Sequence, residues 1–246
     1  ALAAVELHKL VRDPTELVTR AVQPALWLVV FGQVFTRTHA IPTGSLRYVE
    51  FLTPGVLAQS VLFSAIFFGI SVIWERDLGI LHKMLATPAY RAALVVGKAL
   101  AAGPRGLAQA VIIYILAILL GVRIRLDPLS MAGAAITVVI GSALFSTFSL
   151  VVACAVKTRE RFMGIGQVLT MPLFFASNAI YPLAMMPPWL RVVARANPLS
   201  YLVDALRTLM LPGGGMAALP LDLAVQLAVL TLLVVAAARL YPGIVR

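Results

Sequence analysis

The segment from Trp74 to Arg91 is the most charged internal passage of an otherwise very apolar chain. Acidic side chains come first and basic ones later, and leucines recur between them at the spacing of one helix face. A helix with this pattern can form ion pairs along one side while its leucines pack against a partner. The leucines are Leu78, Leu81 and Leu85. We therefore predict a short amphipathic helix whose chemistry is docking.

The ends of this helix are predicted from charge and from one proline. Glu75 and Asp77 stand at its start, where negative charge suits the positive end of the helix dipole. Thr87-Pro88 ends it, because proline disfavours helical geometry in the residue before it. On spacing alone the helix could rest on lipid or bind another protein, and both interpretations stay open at this point.

Residues for nucleotide, proton or metal chemistry are sparse in the rest of the sequence. There is no G-x-x-x-x-G-K-[ST] phosphate loop, and Gly97-Lys98 lacks both the upstream glycine and the following hydroxyl residue. We therefore expect no ATP site, cofactor or metal in this chain. None of the ten acidic residues falls in the middle of a predicted span, which disfavours a carrier driven by an ion gradient. The histidines, which lack the spacing of metal ligands, are His8, His39 and His82.

The composition is that of a membrane protein. Of 246 residues, 61% are hydrophobic and 12% are charged, whereas a soluble domain has roughly 25% charged residues. The mean hydropathy is +0.97. The formal net charge of +10 is spread over the loops. The positive-inside effect and contact with anionic lipid explain this charge better than a nucleic acid partner does.

Apolar segments occur at six places along the chain. A membrane-spanning helix needs about 20 residues to cross about 30 Å of hydrocarbon. The six predicted spans are about 21–36, 51–73, 94–122, 129–156, 162–181 and 219–238. Residues 1–20 alternate apolar and charged side chains and are predicted to lie on the membrane surface, with a disordered tail as the alternative. We predict an all-α integral membrane protein with one transmembrane domain over residues 1–246.

The distribution of basic residues predicts the orientation. Both termini, the segment Trp74–Arg91 and the loop Lys157–Phe162 carry more lysine and arginine than the loops on the other side. The side richer in these residues is cytoplasmic in most membrane proteins. We therefore predict that both termini and the charged segment face the cytoplasm.

The segment Pro182–Pro220, on the predicted outer side, contains two short helical patterns. They cover about 190–196 and 199–211, and they are too apolar for free solution and too short to span. We predict half-helices that dip into the outer leaflet, with an ordinary external loop as the alternative. Asp204 and Arg207 are three residues apart and can form an ion pair on one helix face.

A few polar residues interrupt two of the predicted spans. They are Gln59, Ser60 and Ser64 beside Phe67 in the second span, and Gln167, Thr170 and Asn178 in the fifth. Such residues could line a path for an amphipathic substrate. They could equally pack helices together, since small and hydroxyl residues are common at helix contacts in membranes.

The charged segment resembles the loop between the second and third spans of ABC-2 type transporter permeases. The resemblance is carried by Glu75-Arg76-Asp77, Gly79, Leu81, Leu85 and Thr87-Pro88. The chain departs from the usual pattern at Asp77-Leu78, just before Gly79. Two further stretches are similar to the same family. They are the entry to the first span, with Arg12-Asp13-Pro14, Pro24 and Phe31-Gly32, and the run Asn197, Pro198, Tyr201, Asp204 and Arg207.

The resemblance implies a function that the residues alone do not. In ABC-2 permeases the loop is a coupling helix that docks on a separate subunit, which binds ATP and Mg²⁺. The chain would then be a permease subunit of an exporter for drugs, lipids or glycans in a bacterial cytoplasmic membrane. A second permease copy and two cytoplasmic ATP-binding subunits would complete it. The alternative is a membrane scaffold whose 74–91 loop binds another cytosolic protein.

Overall fold

The computed structural model describes residues 22–38, 41–78, 91–156 and 158–240, without the side chains of residues 67, 91 and 92. Within these ranges the chain is helix, turn and loop, and no strand occurs. The predicted surface segment 1–20, the tail 241–246 and most of the predicted docking helix lie outside the described residues. The docking residues concerned are Gly79, Leu81, Leu85, Thr87 and Pro88.

The helices are named here in chain order. They are α1 (22–38, π-helical over Trp27–Phe31 and α-helical over Gly32–Thr38), α2 (Tyr48–Asp77), α3 (Arg91–Ala101), α4 (Gly103–Leu119), α5 (Pro128–Ala155), α6 (Arg159–Phe175), α7 (Pro188–Ala196), α8 (Pro198–Met210) and α9 (Leu219–Leu240). A short 3₁₀ turn, Leu183–Met185, precedes α7. The two short helical patterns predicted at about 190–196 and 199–211 are therefore present as the helices α7 and α8.

Four helices in the described ranges are long and apolar enough to cross a membrane. They are Tyr48–Asp77, Ala93–Leu119, Pro128–Ala155 and Leu219–Leu240. The second of these, Ala93–Leu119, covers α3 and α4 together. These match the predicted second, third, fourth and sixth spans and indicate a multi-pass membrane protein. The predicted first and fifth spans correspond to shorter helices. With 17 residues, α6 rises about 26 Å, slightly less than the hydrocarbon thickness.

The helices α2 and α5 form the centre of the fold, and α4, α6, α8 and α9 pack around them. Small side chains allow the two central helices to approach closely. The backbone N–H of Gly69 donates to the Ser149 hydroxyl at 3.1 Å, and that hydroxyl donates to the carbonyl of Ile66. A Cβ added at Gly69 would lie 2.6 Å from Cζ of Phe162 on α6. Gly69 is therefore a point where side chains of α5 and α6 pack directly on the backbone of α2.

Replacing Gly69 with alanine is expected to lower the free energy of unfolding by about 2 kcal/mol, the usual range for overpacking a tight core. Thermal unfolding of the detergent-purified chain measures this change. The matched control is Gly164→Ala, because a Cβ there meets nothing within 4 Å. Alanine also favours a helix over glycine. Equal melting temperatures for the two variants would contradict the close approach at Gly69.

The fifth predicted span extends beyond the C-terminal end of the corresponding helix, α6. The sequence prediction ran to Tyr181, but α6 ends at Phe175, and the chain turns back toward α2. Asn178, predicted inside the span, lies in this turn. The turn packs so tightly on α2 that a Cβ at Gly55 would lie 2.9 Å from Cα of Ala179.

The early end of α6 is stable because side chains satisfy its last carbonyl groups. The amide nitrogen of Asn197 donates to the carbonyls of Leu173 at 2.7 Å and Ala176 at 3.1 Å. The Ser177 hydroxyl donates to the carbonyl of Phe174 at 2.6 Å. Such partners are required where no water reaches a helix end. Because the donors come from the chain beyond the helix, apolar content alone could not reveal the stop.

Candidate functional site at the charged end of α2

The charged residues Glu75, Arg76 and Asp77 form the last turn of α2. The prediction that Glu75 and Asp77 begin a separate helix is therefore wrong for these residues, since α2 continues unbroken through Trp74 to Asp77. No proline or glycine interrupts the sequence there to stop it. Acidic residues at a helix C-terminus are unfavourable by themselves. Here cationic side chains from other elements offset that cost.

Glu75 forms an ion pair with Lys98 of α3. The Lys98 side chain is 5% exposed and that of Glu75 is 31% exposed. A lysine inside an apolar span ordinarily extends toward the lipid headgroups, but here its ammonium group meets a carboxylate of another helix. A lysine this deeply buried needs a counter-ion, and Glu75 provides it.

Asp77 and Arg76 connect the same turn to the α5–α6 junction. The Asp77 carboxylate accepts from Arg159 at 2.9 Å and from Arg76 at 3.1 Å. Arg76 also donates to the carbonyl of Val156, beyond the end of α5, at 3.4 Å. Arg159 belongs to the first turn of α6. The end of α2 therefore contacts the backbone just after α5 and the first turn of α6.

Arg159 also lies over the ring of Trp74, with its guanidinium carbon 3.7 Å from the ring centroid. This is cation–π geometry, which favours Arg on Trp. We call the set Trp74, Glu75, Arg76, Asp77, Lys98 and Arg159 the polar junction. Sequence analysis missed Trp74, Lys98 and Arg159 as members of this set. The available signal for Arg159 was that the segment Trp74–Arg91 and the loop Lys157–Phe162 are predicted on the same side of the membrane.

The polar junction joins α2, α3 and α6 at the root of the segment 79–90. A displacement of that segment would act on the end of α2 and, through these ion pairs, on the two neighbouring helices. Leu78, the next residue, is 66% exposed. Its predicted role as a docking residue, like that of the leucines beyond it, stays a prediction.

The residues predicted to line a path do not share one exposed face within a single chain. Gln59, Ser60 and Ser64 are buried, and the Ser60 hydroxyl donates to the carbonyl of Val56 at 2.9 Å. On α6, Gln167 is exposed while Thr170 is buried and donates to the carbonyl of Gly166. The path remains a prediction for these residues, and the side chain of Phe67 lies outside the described part.

The outer residues singled out in the sequence do come together. Arg207 donates to Asp204 at 2.9 Å, which confirms the predicted pair, and to the carbonyl of Asn178 at 3.0 Å. The Asn178 amide donates to Asp204 at 2.7 Å. The Arg207 guanidinium carbon also lies 4.0 Å from the centroid of the Phe51 ring. This outer cluster connects α8 to α2 and to the turn after α6.

Asn197, Pro198 and Tyr201 form the connection between α7 and α8. Pro198 occupies the first turn of α8, where a missing N–H costs nothing. Asn197 caps α8 by accepting from the N–H of Leu199 at 3.0 Å. The Tyr201 hydroxyl donates back to the carbonyl of Arg195 at 2.7 Å. These residues hold the two short helices in a fixed bend.

Comparisons with known proteins match this chain to one family and to several relatives. The family model described as ABC-2 type transporter matches residues 1–211. The putative transport permease ycf38 of Cyanophora paradoxa is 28% identical over 207 residues, covering 82% of this chain and 70% of that protein. The daunorubicin resistance ABC transporter permease protein DrrB1 of Streptomyces coeruleorubidus is 26% identical over 197 residues, covering 80% of this chain and 69% of that protein. Nodulation protein J of Rhizobium leguminosarum bv. trifolii is 26% identical over 170 residues, covering 68% of this chain and 64% of that protein.

Proposed function

Because this chain belongs to the ABC-2 type transporter family, we propose that it is the permease subunit of an exporter that moves an amphipathic substrate outward. ATP and Mg²⁺ would bind to a separate subunit, since the sequence lacks a phosphate loop. A drug, a lipid or a glycan would fit this proposal equally well. Relatives named as drug-resistance ABC transporter permeases support the drug class.

The observation that carries the mechanism is the polar junction. ATP-driven closure of the partner subunits would displace the 79–90 segment, which contains Leu81 and Leu85. The ion pairs Glu75–Lys98 and Asp77–Arg159 would pass this displacement to α3 and α6. The helices α2 and α3 would then tilt together, because Lys98 is buried and its separation from Glu75 is costly. The pair between Asp77 and Arg159 is exposed, and the contact of Arg159 with the Trp74 ring adds to it.

The proposed assembly contains two permease copies and two cytoplasmic ATP-binding subunits in a bacterial cytoplasmic membrane. Both termini and the polar junction would face the cytoplasm. The helices α7 and α8 would dip into the outer leaflet as half-helices. A second copy is favoured because α9 is mostly unburied within one chain, which leaves room for a partner helix or for lipid.

A membrane scaffold without transport activity is the second candidate. The same exposed Leu78 and the same helical leucine pattern would serve any cytosolic partner. The two functions differ in one respect. Only the permease must stimulate ATP hydrolysis by the protein that it binds.

The test is co-purification with a candidate phosphate-loop ATPase, sought first among the neighbouring genes, followed by ATP hydrolysis in nanodiscs with and without the permease. We expect a stable complex and stimulated hydrolysis. Leu81→Asp should abolish both, because a charge would enter the apolar docking face. His82→Asp adds the same charge on the adjacent helix face and serves as the control. A complex that forms without any change in hydrolysis would favour the scaffold.

A further inference from the structure

An apolar groove of about 270 Å³ runs between α4 and α5 on the outside of the helix bundle. Its floor is made of small or buried residues, Ala110, Ala134 and Val138, which are 8%, 2% and 0% exposed. Larger exposed side chains, Val111 and Ile115, stand beside it on α4. A narrow floor between larger side chains fits a flexible hydrocarbon chain lying along the helices.

The length of the groove corresponds to one leaflet of a bilayer. Its lining on α4 runs from Leu107 to Ile118. At about 1.5 Å per residue this is about 16 Å. The hydrocarbon core of a bilayer is about 30 Å thick. The groove therefore begins near the middle of the membrane and ends at one surface.

The surface end of the groove is the α4–α5 loop, where Leu126 lines it. This loop carries Arg123 and Arg125 and is held by backbone contacts. The N–H of Arg123 donates to the Glu50 carboxylate at 3.4 Å, and the N–H of Arg125 donates to the carbonyl of Met210 at 2.7 Å. The backbone that carries both arginines is thus fixed at the end of the groove that Leu126 lines.

The charges at this end favour an anion. Arg125 lies 3.7 Å from Asp127, a weak pair, and Arg47 is paired with Glu50 at 3.0 Å. Arg123 is exposed, and its side chain has no ion-pair partner among the residues that the structure describes. One positive charge is therefore left over beside the mouth of an apolar groove.

We infer that the α4–α5 groove binds an anionic phospholipid, with one acyl chain between the two helices and the phosphate at Arg123 and Arg125. Assignment to the outer leaflet rests on the proposed orientation, whereas the site itself does not depend on transport. The lipid would hold α4 against α5 from the membrane side.

Native mass spectrometry of the permease alone, released from nanodiscs of mixed phosphatidylglycerol and phosphatidylcholine, tests this site. We expect retained phosphatidylglycerol on the unmodified chain and at least a fivefold lower retention in Arg123→Gln. Ala135→Phe fills the groove and should reduce retention of both lipids. The controls are Arg195→Gln, an exposed outer cation, and Leu232→Phe, an exposed residue on α9.

Equal retention of the two lipids by the unmodified chain would overturn the proposal, as would retention that Arg123→Gln and Arg195→Gln reduce to the same extent. If Ala135→Phe unfolds the chain, Arg123→Gln decides alone, because its side chain is exposed and outside the core. The measurement needs no ATPase. Its failure would therefore leave the exporter proposal untouched, and a failure of the exporter proposal would not remove the lipid.

Discussion

Replacing Glu75 with alanine is expected to leave the Lys98 ammonium buried without a counter-ion and to lower the free energy of unfolding by about 3 kcal/mol. The estimate is at the lower end of the range for buried pairs, because Glu75 is 31% exposed and water can partly replace it. Thermal unfolding of the purified chain gives the stability change. ATP hydrolysis in the assembled complex gives the coupling change, and we expect stimulation to fall at least tenfold.

The double variant Glu75→Ala with Lys98→Met separates the two effects. Removing both charges abolishes the desolvation cost, so the melting temperature should recover by more than half. Stimulated hydrolysis should stay low, because the connection between α2 and α3 is gone. Glu160→Ala, at an exposed acid in the first turn of α6, is the control. Full recovery of stimulation in the double variant would contradict a mechanical role for this pair.

Replacing Arg207 with methionine is expected to have a similar effect on stability, about 3 kcal/mol, at the opposite end of the molecule. The side chain of Arg207 is 17% exposed. Its loss removes the bonds to Asp204 and to the carbonyl of Asn178, and the contact with the Phe51 ring. Asp204 would then have only the Asn178 amide as a hydrogen-bond partner.

Thermal unfolding again measures the change, and the double variant Asp204→Asn with Arg207→Met should regain part of it. Arg195→Met removes an exposed cation from α7 and should change the melting temperature little. If Arg207→Met and Arg195→Met behave alike, the outer cluster does not hold α8 in place. Protease protection of the loop after α8 provides a second measurement, because release of α8 would expose it.

The parts of this fold that sequence predicts well depend on local pattern. Four of the predicted spans match apolar helices of membrane-spanning length, because hydropathy is a property of contiguous residues. The Asp204–Arg207 pair was predicted correctly for the same reason, since its members lie three residues apart on one helix.

The parts that sequence predicts poorly depend on partners far along the chain. Lys98 forms its ion pair with Glu75, which lies 23 residues earlier in the chain. The end of α6 at Phe175 depends on donors from Asn197, which is 24 residues beyond Leu173. Neither contact leaves a periodic signal. Residues 79–90, which carry the strongest sequence motif, lie outside the described structure, so their role rests on pattern and family.

The contact between Gly69 and Ser149 also constrains how the chain is made. The hydroxyl that bonds to the carbonyl of Ile66 belongs to a residue 83 positions later. At about 5–20 residues per second, a ribosome needs roughly 4–17 s to supply it. During this interval α2 has entered the membrane without the α5 side chain that packs against Gly69. The nascent helix must therefore remain beside the insertion machinery, or near a surrogate helix, until α5 emerges.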